Sequence, residues 1–361
     1  MNTTDGRMWI RDDTEWEDIF QFLGFGKGTS EMYKEADRIL QVARQINGVY
    51  LWVLFAIGLP GNILTMVTIA SMKICPATFF ISLLAALDTT SLILKLVGQQ
   101  VINNQVYIGP VGCKFEWFIP YVSTLANWMI VLICAERCIT VCFKGKKPEV
   151  FSMRNAYILV AVLSAMLFLL FAGISMPMRG SISSGLYCGT FNQFVWFWVN
   201  VWYWLNAFLY MFLPAMFIIP MTALMLRKLL CSSNIGILQQ NDDIGSENQA
   251  SVTGRSSLTE SELDNNKRGF TLAVFFAALF FVMLCLPACV FYLSYRQYDD
   301  DLTSAKWQLY QQVMFLLTDS THAINFFLYF LPARKLRGRA FEILSCKPYR
   351  KNSYTPGQRF A

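Results

Sequence analysis

Charge is what this chain has least of. Asp, Glu, Lys and Arg together make up 15% of its 361 residues, against about 25% in a soluble globular domain. It holds one histidine, His322. The sequence therefore offers no His/Asp/Glu cluster for a catalytic metal and no Ser/His nucleophile arrangement, which argues against an enzyme. The scarce charge is also unevenly spread. None lies between Arg44 and Lys73, from Trp117 to Ala135, from Asn155 to Met178, from Gly180 to Leu226, or from Gly269 to Tyr295. What fills these gaps is apolar: 55% of the chain is hydrophobic, with 30 Phe and 10 Trp. That composition excludes a disordered or fibrous chain.

A helix crossing a bilayer needs about 20 apolar residues, and each gap is long enough. The pattern predicts an all-α membrane protein with seven transmembrane helices at 49–72, 77–100, 115–140, 155–177, 198–226, 267–294 and 307–331. The second and seventh runs contain charge within their apolar stretch. Asp88 sits mid-span and must find a partner in the bundle; Lys95 lies nearer the span's end, from which it can snorkel to the interface; Asp319 lies in the seventh span. The helices divide the chain into an extracellular segment at 1–48, a membrane domain at 49–331 with a mobile cytoplasmic loop at 229–266, and an amphipathic helix with a short tail at 332–361. Within the first segment, 30–46 has apolar residues at near-helical spacing and reads as a short amphipathic helix.

Orientation follows from the short loops. Lys73, then Lys144, Lys146, Lys147 and Arg154, then Arg227, Lys228, Lys267 and Arg268, then Arg334, Lys335, Arg337 and Arg339 all fall on one side of a seven-span chain. The positive-inside bias makes that side cytoplasmic and puts the N-terminus outside, as expected at the plasma membrane. Of ten cysteines, only Cys113 and Cys188 fall in the outer regions, where one bridge between them would pin the loop before the fifth span over the helix mouth. Asn2 opens a glycosylation sequon on the same side, and Cys346 follows a basic amphipathic stretch suited to acylation.

Six short motifs, each on its expected span, carry a resemblance to the rhodopsin-like family of G-protein-coupled receptors. They are Gly61-Asn62, Leu84 to Asp88, Glu136-Arg137-Cys138, Phe281 to Pro287, Asn325 to Tyr329, and the basic segment with Leu336 and Phe341 after the last span. The resemblance implies the seven-helix bundle with a short eighth helix. It implies a polar network of Asn62, Asp88 and Asn325, often with a sodium ion near the aspartate, and no other cofactor. It implies that Glu136 holds Arg137 at rest, that Phe281 and the Pro287 kink transmit movement, and that Tyr329 swings inward on activation. A heterotrimeric G protein, with a receptor kinase and arrestin, would be the inner partners. Several positions depart from the family pattern: Cys285 stands for the usual tryptophan, Phe326 for the proline, Ala126 for a serine and Thr321 for an asparagine. Cys113 precedes Arg137 by 24 residues, one fewer than the family pattern, so either the top of the third span is irregular or the bridging cysteine is displaced.

Ligand class is read by elimination against that family. The outer third span has Phe118, Ile119, Pro120 and Tyr121 where an amine receptor has an aspartate, and Leu316 to Thr321 has no lysine for a photoreceptor's Schiff base. A peptide remains. The pocket expected for it comprises Glu116, Trp117, Tyr121, Trp204, Tyr292, Gln308, Gln312 and Asp319. Acid with aromatic surface suits a short, cationic, amidated neuropeptide, and 321–329 resembles invertebrate receptors of the FMRFamide-like group. The alternatives are a receptor of this fold for a non-peptide ligand, and a transporter or channel, although neither an internal repeat nor a pore lining is legible. The inner cations fit acidic membrane lipids and a protein partner, not nucleic acid.

Overall fold

Hydrocarbon offers no hydrogen bonds, so an apolar chain can cross it only by pairing its own backbone groups in helices or closed barrels. The computed structural model follows the first route. It describes residues 27–104, 106–142, 151–182, 187–243, 254–294, 301–330 and 334–345; Asn2 and Cys346 lie outside them. In chain order come α1 (Lys27–Ala70), α2 (Pro76–Asn103), α3 (Gly109–Lys114), α4 (Phe118–Cys142), α5 (Met153–Met178), the strands β1 (Arg179–Ile182) and β2 (Tyr187–Thr190), a helical run at 192–212, and then α6 (Leu213–Asp243), α7 (Gly254–Ser294), α8 (Asp301–Phe330) and α9 (Arg334–Leu344).

Six helical stretches are long and apolar enough to cross a membrane: Glu31–Ala70, Pro76–Asn103, Gly109–Cys142, Met153–Met178, Asn192–Lys228 and Thr271–Phe291. The chain is a multi-span helical membrane protein. α8 is 30 residues long and packs in the same bundle against α1, α2 and α7. It is less apolar than the six because its buried face carries Thr318, Asp319, Thr321, His322 and Asn325. The outward faces are apolar instead: Met283, Leu286, Val290 and Leu293 of α7 are all exposed at helical spacing, as a helix surface immersed in lipid requires.

α4 is the central post. Of its apolar window 72% is buried, against 22% for α5. α1 and α8 lie along one another over the greatest length, and two glycines of α1 permit the approach. A Cβ at Gly58 would stand 2.9 Å from the Ala323 backbone, and one at Gly61 would stand 2.9 Å from the Phe326 ring. Phe326, where the family pattern has proline, thus fills a notch that Gly61 leaves.

Two boundaries differ from the sequence reading. Segment 30–46 and the first span are one continuous helix of 44 residues. At 1.5 Å per residue this rod is roughly 66 Å long, so one end stands well clear of a hydrocarbon core about 30 Å thick. Its Ala36, Ala43 and Tyr50, seven residues apart, are buried, the spacing of a coiled-coil seam. At the other boundary, the expected loop at 229–266 is helical through Asp243 and again from Gly254.

Candidate functional site

The polar side chains of the bundle stack in three levels. At one end Cys113 of α3 and Cys188 of β2 form a disulfide, which ties the β1–β2 hairpin to the entrance of α4. The hairpin pairs Ser181 with Cys188 in antiparallel register. Its first residue, Arg179, forms an ion pair with Glu116 and lies 5.1 Å from the Trp198 ring centroid. The third span is irregular here, as the short spacing to Arg137 allowed: residues 115–117 are a turn between α3 and α4. Pro120 supplies the physical reason, since it has no N–H for the carbonyl of Glu116 and its ring crowds that turn.

The described residues expected to line one peptide pocket fall in several places, although the Trp117 and Tyr121 rings meet at 6.0 Å. Trp117 and Tyr121 face α5: the Trp117 and Phe168 rings meet edge-on at 5.2 Å, and the Tyr121 hydroxyl is 2.7 Å from that of Ser164. Trp204 is exposed and lines an outward groove with Phe208 and Leu293. Gln308 is exposed, whereas the Oε1 of Gln312 is buried without a described partner. Tyr292 belongs to α7, and its side chain lies outside the described residues.

Asp319 is engaged from within. Lys95 of α2 does not snorkel; its Nζ donates to Asp319 Oδ1 at 2.6 Å, with the two side chains only 15% and 10% exposed. The Tyr50 hydroxyl of α1 donates to Oδ2 at 3.2 Å, and the Tyr210 ring lies 5.8 Å from Nζ. Two charges that would each be prohibitive in hydrocarbon are thereby neutralised together, and three helices are joined at one carboxylate.

Below lies the second level. Asp88 Oδ1 is 2.7 Å from His322 Nδ1, and Oδ2 accepts from Asn325 Nδ2 at 2.8 Å. Asn62 Nδ2 donates to the backbone carbonyl of His322 at 3.0 Å. The structure thus brings Asn62, Asp88 and Asn325 into one cluster, with His322 at its centre. These residues do not fit a sodium ion. Both carboxylate oxygens already face nitrogen, and the gap between Asn62, Asp88, Asn325 and Tyr329 has no room for a water-sized sphere.

The third level is at the far end of α4. Glu136 holds Arg137 through both carboxylate oxygens, Nη2 meeting Oε1 at 2.7 Å and Nε meeting Oε2. Thr140 donates to the same Oε1 at 3.2 Å. Glu136 is buried, so the pair sits inside the bundle end. Tyr329, beside the Asp88 cluster, and Phe281 are buried in the bundle, and the Tyr329 hydroxyl has no hydrogen-bond partner among the described residues. Pro287 lies within α7, where it leaves the Met283 carbonyl without its helical donor. α9 closes this end. Arg339 Nε donates to Ser71 Oγ at 2.9 Å, Leu336 and Ala340 are buried, and Phe341 is exposed.

One contact escaped the sequence reading altogether. The 192–212 run contains two π turns, Trp198–Trp202 and Phe208–Phe212. Pro214 cannot donate to the carbonyl of Tyr210, four residues back. Asn127 of α4 supplies the missing donor at 2.9 Å, and Trp128 Nε1 donates to the Leu209 carbonyl at 3.2 Å. An apolar run with a proline in it signalled an unpaired carbonyl, but nothing in the sequence said which neighbour would reach it.

No protein-family model matches this chain. A stretch of 103 residues, 27% of the chain, is 33% identical to green-sensitive opsin-1 of Carassius auratus and covers 30% of that protein. The chain therefore matches less than a third of the opsin's length, and nothing in the match bears on FMRFamide-like receptors.

Proposed function

We propose that this protein is a rhodopsin-like G-protein-coupled receptor of the plasma membrane, with seven spans. It would convert an event in the outer half of the bundle into nucleotide exchange on a heterotrimeric G protein. The observation that carries the reading is the buried Glu136–Arg137 pair at the end of α4, on the post whose other end is tied down by the disulfide. The partial likeness to an opsin supports the same class. Such a receptor performs no chemistry. It shifts population between a closed and an opened inner face, and outer and inner binding energies are coupled reciprocally. A receptor kinase and arrestin are the further partners of this reading.

The ligand favoured is a small non-peptide molecule of low charge. A cationic peptide needs free acids in the outer half, but Asp319 is bound by Lys95 and Glu116 by Arg179. Guanine-nucleotide exchange beside surface-expression measurements tests the mechanism. Arg137→Ala is expected to fold and reach the surface yet lose coupling, while Glu136→Gln raises basal exchange by freeing the guanidinium. Full exchange by Arg137→Ala would overturn the proposal. Screening neutral amphiphiles against amidated cationic peptides in the same assay separates the two ligand classes.

A further inference from the structure

The second level of the bundle contains a substitution of one chemistry for another. A hard cation is held by oxygen lone pairs from several directions. Here each carboxylate oxygen of Asp88 is already met by a nitrogen. His322 Nδ1 stands 2.7 Å from Oδ1, and Asn325 Nδ2 donates to Oδ2 at 2.8 Å. The hydroxyls of the neighbouring turns have partners of their own. Ser91 Oγ and Ser123 Oγ bond each other at 2.7 Å, Thr321 Oγ1 donates to the Thr318 carbonyl at 2.7 Å, and Ala126 brings no side-chain oxygen. Asp88 and His322 are each almost wholly buried, at 0% and 1% exposure.

His322 is costly to keep there. Its Nε2 is buried with no hydrogen-bond partner among the described residues, and an unpaired buried nitrogen is destabilising. The compensation is on the other side of the ring, at Asp88. The backbone helps to fix that side: the His322 carbonyl accepts from Asn62, which locks this turn of α8 to α1. Asp319, His322 and Asn325, three residues apart, lie along one face of α8, so a single helix face presents all three groups to α2.

We infer that His322 is a built-in replacement for a bound cation. Its bridge to Asp88 joins α2 to α8 where an ion would otherwise do so, and it makes the bundle indifferent to sodium. This property belongs to the membrane core and holds whatever ligand acts outside, so its failure would leave the receptor reading untouched.

The test is thermal unfolding of the purified full-length protein in lipid nanodiscs, in sodium chloride and in N-methylglucamine chloride at equal ionic strength. The wild type is expected to unfold at the same temperature in both salts. His322→Ser removes the ring, frees Oδ1 and supplies a hydroxyl, so it is expected to acquire a sodium-specific rise of about 2 °C or more. Adding Asp88→Asn to that variant should abolish the rise. A sodium-specific rise in the wild type that Asp88→Asn removes would overturn the inference, and this arm needs no altered histidine to fold. His322→Asn provides a second small replacement; if both it and His322→Ser fold and neither responds to sodium, His322 is not what excludes the ion.

Discussion

Lys95 and Asp319 show how burial changes the meaning of a charged residue. Read along the chain, each is a lone ion in an apolar run, and Lys95 has an interface within reach. In space they satisfy each other at 2.6 Å. The sequence held half of this: an ion deep in a span must be paired. What it lacked was which helix faces which, and so the acid was assigned to a ligand. His322 had no place in the polar network read from the sequence; only the approach of α2 turns it into the partner of Asp88. The energetics of the Lys95 pair can be tested directly. Removing one partner strands a charge in low dielectric and costs about 3–5 kcal/mol, whereas replacing both with apolar residues is neutral or stabilising. Lys95→Met and Asp319→Leu should each lower the unfolding temperature in detergent clearly, and the double variant should recover most of the loss. Equal losses that simply add would mean that the two side chains do not share an interaction. The Glu116–Arg179 pair, at 29% and 23% exposure, is screened by water, and Glu116→Gln should cost much less.

A transmembrane helix is usually drawn as a straight rod, but three elements here are shaped by prolines whose missing N–H is answered in different ways. Pro120 is accommodated by the turn at 115–117 that separates α3 from α4. Pro287 sits inside α7. At Pro214 the answer comes from a neighbouring helix, with Asn127 donating to the Tyr210 carbonyl. The last case predicts a dependence between Asn127 and Pro214, linked through the Tyr210 carbonyl. Asn127→Ala leaves a carbonyl unpaired in a dry interior and should cost about 1–3 kcal/mol. In a Pro214→Ala background the helix regains its own donor, so the same change should cost markedly less. A thermal-unfolding double-mutant cycle reads the coupling, and its absence would assign Asn127 a packing role only. Helix existence was legible because lipid enforces it, and the break near Cys113 was legible as a spacing one residue short. The π turns and the β1–β2 hairpin were not. Hydropathy reports immersion, not the local hydrogen-bond register, and four-residue strands carry too little alternation to stand out beside long apolar runs.

At the scale of the whole molecule the two ends differ in kind. One carries the disulfide, the hairpin and the Glu116–Arg179 pair. The other carries Glu136 and Arg137, the α1–α2 connection with Lys73, Arg154 at the start of α5, and the basic helix α9. Basic residues next to short connections are retained on the cytoplasmic face, and a structural disulfide persists on the oxidising face. Two independent physical pressures therefore ask for the same orientation, with the disulfide end outside. The bundle is also held differently at the two ends. At the disulfide end, a covalent bond fixes the hairpin to α3. At the opposite end, α9 is attached through Arg339 and Ser71 at 2.9 Å and through buried Leu336 and Ala340, contacts that can rearrange. A stiff end opposite a compliant one is what the proposed population-shifting receptor needs, since movement should emerge where its partner docks. Orientation is the premise of that argument and can be measured on its own. A C-terminal epitope tag is expected to stain only in permeabilised cells, and an N-terminal tag in intact ones. Cys113→Ala should lower surface expression, because it releases the hairpin, without reversing either tag. Staining of the C-terminal tag on intact cells would place Glu136 and Arg137 outside, and the proposed coupling to a cytoplasmic G protein would fall with it.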